Sequence, residues 1–473
     1  MQKRDFINST FSLKSLMFYI TLILISFIVS LKDPLAGILF LNSSLALFLI
    51  ILVYKAFSFK LFFALALFIG VFWIYHSIYP ILFLLDIPRA VDIPFVSYQT
   101  VFKSTLLVLL TMIGILISIL LITKFVKCHK RFKQINSYKA NNTLIVISAI
   151  VLFILGFYIY FLGFKSSGYS LKDIFTYYGS SYIRLNLTNM PDYYRLLMYA
   201  SSVLISSTLF NKKNEKSNNY LIVFFYILVF LYSFFQFGIG NRREVLIILL
   251  PFLGIIFKNY FQRFSFRTFF FMLLLLLISF FIFQYFVVVR SGFNLDNFST
   301  KEFIQFSFSS FDGNAPFATI CFYVENGVPK YQYGLTYIYN PLYNIIGYFI
   351  SAEGYILASP AVLFARNYGG GIGWAFSPVT EAYINFGPIG CLLFGIIFSF
   401  LLFFFTRLFE NSNLYSLSIL GAFVINRGDF TGFFTEIVLT GVLVVLVSML
   451  VAFIKPRNIW FKVVNCDETF VKK

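Results

Sequence analysis

The chain has 473 residues, 59% hydrophobic and only 12% charged, where a soluble protein of this size carries about a quarter. Its apolar runs do not alternate with polar residues, which excludes a membrane β-barrel and leaves an all-α polytopic membrane protein. The net charge of +18 belongs to no basic soluble domain, so nucleic acid is not expected as a partner.

The N-terminus pairs a basic start with an apolar run from Ser15 to Leu31 and shows no small-x-small cleavage site. It is expected to be an uncleaved first helix. From there the apolar runs predict about 12 transmembrane helices (range 10–13) in a single integral membrane domain, 1–473. They lie at roughly 15–31, 36–54, 61–85, 104–126, 143–163, 194–210, 219–237, 244–257, 268–289, 384–406, 412–426 and 433–454. The eighth and eleventh are short for a bilayer that needs about 20 residues.

With the N-terminus inside, alternate loops gather most of the 37 basic residues, "KFVKCHKRFKQINSYK" most densely, and both termini fall in the cytoplasm. The inner set is mostly lysine and the outer set mostly arginine. Topology does not distinguish the two cations, but anion binding does, because the guanidinium fork matches phosphate bidentately. The outer arginines are Arg89, Arg184, Arg195, Arg242, Arg243, Arg290, Arg366 and Arg427. Four of them, Arg242, Arg243, Arg290 and Arg427, sit at the outer ends of predicted helices, where they can ring one cavity.

Two outer loops are long, 165–193 and 290–383, the second preceding the last three helices. Both are rich in Tyr, Gly, Asn and Ser. Aromatic faces beside amides suit carbohydrate, and single tyrosines also suit an interfacial belt. No Walker A motif and no GxGxxG after a strand is present, so ATP-driven transport is unsupported. The four cysteines are scattered and the only histidines are His76 and His129, so neither a His/Cys metal site nor a disulfide framework is expected. No cofactor is expected either.

In "SPVTEAYINFGPIG", Glu381 opens a helix whose dipole favours a carboxylate, with Thr380 or Ser377 as candidate caps. "INRGDFTGFF" puts Arg427 and Asp429 in a very short outer turn between apolar helices, a costly place for an arginine without a use. "VVVRSGF" places Arg290 straight after an apolar helix, where snorkelling is the bland explanation. Glu244, beside Arg242 and Arg243, is placed to pair with an arginine of its own motif.

Taken together, "GNRREVL", the "VVVRSGF" exit, "GIGWAFSPVTEAYINFGPIG" opening a helix and "NRGDF" before the last helix resemble the O-antigen and oligosaccharide repeat-unit polymerases of the Wzy type. The resemblance covers nearly the whole chain. It implies polymerisation of undecaprenyl-diphosphate-linked oligosaccharide repeat units into surface polysaccharide, O-antigen or capsule, at the outer face of the bacterial inner membrane. Its implied partners are that lipid-linked oligosaccharide, membrane lipid, a chain-length regulator and a flippase. Such glycosyl transfer needs cations for the departing diphosphate and a base for the attacking hydroxyl. Glu381, Arg290 and Arg427 are the candidate catalytic residues. Arg242, Arg243, Arg366, Asp429 and Asp312 are the candidate substrate-binding residues. The alternatives are a lipid-linked oligosaccharide flippase or transporter, an O-antigen ligase, and a transferase using a polyprenyl-monophosphate sugar. The near absence of charge inside the helices opposes the transporter. The lack of histidine in either long outer loop opposes the ligase. A first outer loop of only "KDP" opposes the monophosphate transferase.

Overall fold

The computed structural model describes residues 13–87, 96–128, 134–135, 142–170, 173–175, 193–211, 219–239, 241–261, 285, 299–309, 314–328, 330–350, 360–361, 364, 375–454 and 463–464. They form an all-α protein, apart from one antiparallel pair of two residues, Gln134–Ile135 with Val463–Val464. Among the described residues six helices are long and apolar enough to cross a membrane, and shorter apolar helices accompany them. This is the polytopic all-α architecture expected. The predicted span 268–289 lies, but for residue 285, outside the described residues.

The chain divides into two compact units, the first made of residues 1–132, 308–407 and 421–435. It opens with α1 (Leu13–Lys32) and α2 (Pro34–Ala56). Only Asp33 separates them, so the short "KDP" loop is a single capping residue. Asp33 Oδ1 accepts from the amides of Leu35 at 2.9 Å and Ala36 at 3.1 Å, and Pro34 at the first helical position gives up no hydrogen bond. The Tyr98 hydroxyl adds a third donor at 2.5 Å. Burial pushes the Asp33 carboxyl up, but these hydrogen bonds win and hold it below its ordinary value.

Next come α3 (Phe59–Leu84) and α4 (Tyr98–Cys128). The core of the unit is built from Phe68 and Phe72 of α3, Ile115 and Ile119 of α4, and Phe317, Phe398 and Cys391 from later in the chain. Helices cross closely where they are smallest. A Cβ on Gly114 would lie 2.2 Å from the Leu392 carbonyl oxygen, and one on Gly395 would lie 2.2 Å from that of Thr111. Backbone contact of this kind is the usual device of helix pairs in lipid, where apolar side chains alone give no preference for a partner over the bilayer.

The second unit comprises 133–307, 408–420 and 436–473. It contains α5 (Asn142–Ser166), α6 (Tyr193–Asn211), α7 (Asn219–Ile239), α8 (Arg242–Phe261) and α9 (Thr300–Ser309). Aromatic contacts hold it together: Tyr160 meets Tyr232 edge-on at 5.4 Å and Tyr194 at a tilt at 5.7 Å between ring centres.

The expected 290–383 loop is largely helical where it is described. It carries α9 and, in the first unit, α10 (Asn314–Asn326) and α11 (Leu335–Ile350). Then follow α12 (Pro378–Phe409), α13 (Tyr415–Val424), a 3-10 turn (Ile425–Arg427) and α14 (Phe430–Ile454). The predicted start of the tenth span, residue 384, falls inside α12. Its first two turns carry the polar residues Thr380, Glu381 and Asn385, all buried, and they end at a kink where Gly387 takes φ 63° and ψ −152°. That conformation is open essentially to glycine alone, and Pro388 then starts the apolar run.

Candidate functional site: a buried carboxylate and a cluster of ion pairs

In the first unit the site grows from the start of α12. Ser377 caps the helix, its Oγ accepting from the amides of Val379 at 3.1 Å and Thr380 at 3.4 Å. Of the two candidate caps, Ser377 fills the role. Thr380 instead shares a hydrogen bond of 2.8 Å with Thr319 of α10. The Ser377 hydroxyl is also 2.8 Å from His76 Nε2, and His76 Nδ1 is 2.8 Å from the Phe72 carbonyl oxygen. A carbonyl only accepts, so Nδ1 carries the proton and Nε2 accepts from Ser377. The imidazole, fully buried, stacks on Phe72 with ring centres 4.3 Å apart.

One turn beyond the cap, Glu381 is fully buried. Its Oε2 accepts from the amide of Phe430, 2.5 Å away, at the first position of α14. That is the positive end of the helix dipole. Its Oε1 meets no donor at hydrogen-bonding geometry among the described residues. The Thr336 hydroxyl stands near the carboxylate, while accepting from Asn385 Nδ2 at 2.6 Å. Asn385 also ties the segment together, donating to the Glu381 carbonyl oxygen at 2.8 Å and accepting from the Gly334 amide at 2.8 Å.

Asp429 is the second carboxylate, close enough for its charge to be felt at Glu381. Its Oδ1 caps α14 through the Gly432 amide at 2.8 Å, and its Oδ2 accepts from the Ala361 amide at 3.2 Å. The "NRGD" turn therefore delivers two carboxylates to one helix N-terminus: Asp429 as the formal cap and Glu381 from α12. Arg427, half-buried, ends the 3-10 turn two residues before Asp429. The structure thus gathers three of the candidate residues, Glu381, Asp429 and Arg427, into one unit. Arg290, Arg366 and Asp312 lie outside the described residues.

The second unit holds a separate charged cluster. Arg243, in the first turn of α8, places Nη2 2.8 Å from both carboxylate oxygens of Glu436. Glu244 pairs with Arg195 of α6 at 3.7 Å and accepts a hydrogen bond from the Tyr199 hydroxyl. The arginine that Glu244 meets here lies outside its own motif. Consecutive helical residues point about 100° apart, so Glu244 reaches the neighbouring helix while Arg243, still within range of its charge, reaches Glu436. Arg242 begins α8.

Glu436, His76 and the pairing role of Arg195 are absent from the sequence-based candidates. Glu436 left a signal: one acid inside "FTGFFTEIVLTG" is expensive in a membrane and implies a cation partner. His76 left none, because a histidine on an apolar helix says nothing of a serine 301 positions on.

These features define a helical membrane protein that encloses an incompletely satisfied carboxylate in its core, with arginines balanced by acids elsewhere. A family model, O-antigen polysaccharide polymerase Wzy, matches residues 14–458, and the chain belongs to that family. No curated protein and no solved structure matches it. The match agrees with the resemblance carried by "GNRREVL" and "NRGDF", and favours the polymerase over the flippase and ligase.

Proposed function

We propose that the protein lengthens surface polysaccharide by glycosyl transfer between undecaprenyl-diphosphate-linked oligosaccharides at the outer face of the inner membrane, with both termini cytoplasmic. Membership of the Wzy family across 14–458 supports the polymerase activity. The observation that carries the chemistry is Glu381: one carboxylate oxygen is held by the Phe430 amide, and the other, with the Thr336 hydroxyl nearby, meets no donor at hydrogen-bonding geometry among the described residues.

In this reaction a sugar hydroxyl oxygen on one lipid-linked unit attacks the anomeric carbon of the chain on another. The new C–O bond forms as the bond to the diphosphate oxygen breaks, and inversion follows from a single displacement. The hydroxyl proton passes to Glu381, and the electron pair leaves with the polyprenyl diphosphate. Glu381 suits the base because its Oε1 is not held by a backbone amide among the described residues, as Oε2 is, and so can accept a proton with little reorganisation. Arg427 and Arg290 neutralise the leaving diphosphate, with Arg242, Arg243, Arg366, Asp429 and Asp312 binding substrate. A chain-length regulator and a flippase act alongside, and the reaction needs no metal.

The test uses purified protein in lipid nanodiscs with lipid-diphosphate-linked repeat units. Chain ladders should form in EDTA and should fall on the order of 10²–10⁴-fold in Glu381→Gln. Equal ladders from Glu381→Gln would remove Glu381 as the base. Loss of ladders on chelation would remove the metal-free mechanism.

A further inference from the structure

Helix α11 is amphipathic the wrong way round for an aqueous loop. A helix on a water-soluble surface buries its apolar stripe and exposes its polar one. Here Leu335, Ile338, Leu342 and Ile346 are 58%, 68%, 55% and 49% exposed. Their spacing of three and four residues puts them on one face. The opposite face holds Thr336 and Asn340, both buried, and Asn344. That face is bonded to its own unit: Thr336 to Asn385 at 2.6 Å, and Asn344 Nδ2 to Thr435 Oγ1 at 3.1 Å.

No Asp, Glu, Lys or Arg occurs between Lys330 and Glu353. A water-facing loop of this length in a chain of net charge +18 would be expected to carry some. The exposed stripe also continues a lipid-facing one. From its kink onward, α12 exposes Phe386, Ile389, Leu393, Ile397 and Leu401, at 42%, 66%, 39%, 54% and 54%, along a span that qualifies to cross the membrane. The entry to α11 is fastened where that stripe starts. Gln332 and Tyr333 donate backbone hydrogen bonds to the carbonyls of Ile384 and Asn385 at 3.2 Å each. A Cβ on Gly334 would lie 3.1 Å from the Phe386 ring.

We propose that α11 is embedded in the membrane, its Leu335–Ile338–Leu342–Ile346 stripe seated against lipid acyl chains and its polar face sealing the protein. In hydrocarbon the polar side chains bond inward to helices and the apolar ones meet lipid, which is the pattern seen. At about 1.5 Å per residue the helix is about 24 Å long, short of the roughly 30 Å hydrocarbon core. It therefore enters the bilayer without crossing it. The 290–383 segment, expected as an outer loop, thus contains a lipid-facing element, and its Thr336 face stands beside Glu381. The inference depends on the exposure pattern alone and holds whichever reaction the protein performs.

The experiment places one environment-sensitive fluorophore, NBD, on Ile338→Cys in full-length protein whose Cys128 and Cys466 are changed to Ser. Cys321 and Cys391 are buried. The protein is reconstituted in phosphatidylcholine vesicles, with Ile397→Cys on the α12 stripe as reference and Leu342→Cys as a second position on α11. Phosphatidylcholine carrying a doxyl group on its acyl chain should quench emission at 338 and 342 at least twofold, as at 397, and aqueous iodide should change it little. Quenching by iodide and not by doxyl lipid would place the helix in water and overturn the proposal. Quenching by neither would show the stripe covered by protein, a second copy included, and would overturn it equally.

Discussion

His76 Nε2 and Ser377 Oγ, 301 positions apart in the chain, are 2.8 Å apart in the structure. The bond joins the centre of α3 to the cap of the helix that carries Glu381. Because Nδ1 is spent on the Phe72 carbonyl, the ring is held in one tautomer and offers Ser377 an acceptor only. His76→Phe keeps the stack on Phe72 but leaves the serine hydroxyl without its acceptor. A buried polar group stranded in this way costs about 1–3 kcal/mol. Thermal unfolding in detergent should show that loss for His76→Phe and a partial return for His76→Gln, whose amide oxygen can reach the same hydroxyl. If His76 acts only through Ser377, adding Ser377→Ala to His76→Phe should cost less than the two single losses combined. Strict additivity would separate the two residues.

The pair of Arg243 and Glu436 should behave as one unit. Their side chains are 29% and 24% exposed, between a surface bridge of small worth and a buried one whose breaking costs about 3–5 kcal/mol. Glu436→Gln or Arg243→Gln alone should therefore destabilise by about 1–3 kcal/mol. The double substitution should cost less than the sum, because neither charge is then left unpaired. A double-mutant cycle on unfolding free energies checks this, and a coupling near zero would mean the pair contributes nothing in the folded protein.

How far these relationships could be read in the sequence depends on their range along the chain. The spans were legible because apolar runs report burial in lipid directly: 36–54 became Pro34–Ala56, and 143–163 became Asn142–Ser166. Ser377 and Glu381 were legible as helix-start chemistry, since capping is local. The partner of Glu381 was not, because the Phe430 amide is 49 residues away and no local pattern specifies which helix start a carboxylate will meet. The helices inside 290–383 were hard to read for a related reason. Their polar residues look hydrophilic in a row, yet in α11 Thr336 and Asn340 are buried on one face, while Tyr339 is exposed beside the apolar stripe. The acids that meet Arg243 and Arg195 were not legible either, because only tertiary structure supplies them.

The hydrogen bonds at Asp33 give a pH dependence with a definite sign. Its carboxyl is held below its ordinary value, so the folded state favours the ionised form. The stability this contributes is fully present above the unfolded value of about 3.9 and is lost as pH falls through the lowered folded value. Unfolding midpoints should therefore drop for the wild type as pH is taken from about 5 to 3. Asp33→Asn, which can still cap, should drop less over the same range. At neutral pH Asp33→Ala should cost about 1 kcal/mol through the lost cap. Parallel wild-type and Asp33→Asn curves would exclude Asp33 as the titrating group.

Gly387 offers the sharpest test that backbone conformation sets the site. At φ 63° and ψ −152° any side chain is strained, by about 1–3 kcal/mol. Space is not the obstacle: a Cβ there would meet the Tyr331 hydroxyl oxygen at an ordinary 3.4 Å. The penalty of Gly387→Ala is thus conformational, and the chain can relieve it by straightening α12 through Phe386. Straightening would rotate the turns that carry Asn385 and Glu381 away from the Gly334 amide and the Phe430 amide, which they now hold. Polymer synthesis should fall further in Gly387→Ala than in Gly395→Ala, which crowds the Thr111 backbone in the same helix but leaves the kink intact. Comparing chain ladders at matched protein levels measures this. Equal losses in the two variants would mean that helix packing, rather than the kink, governs how Glu381 is presented.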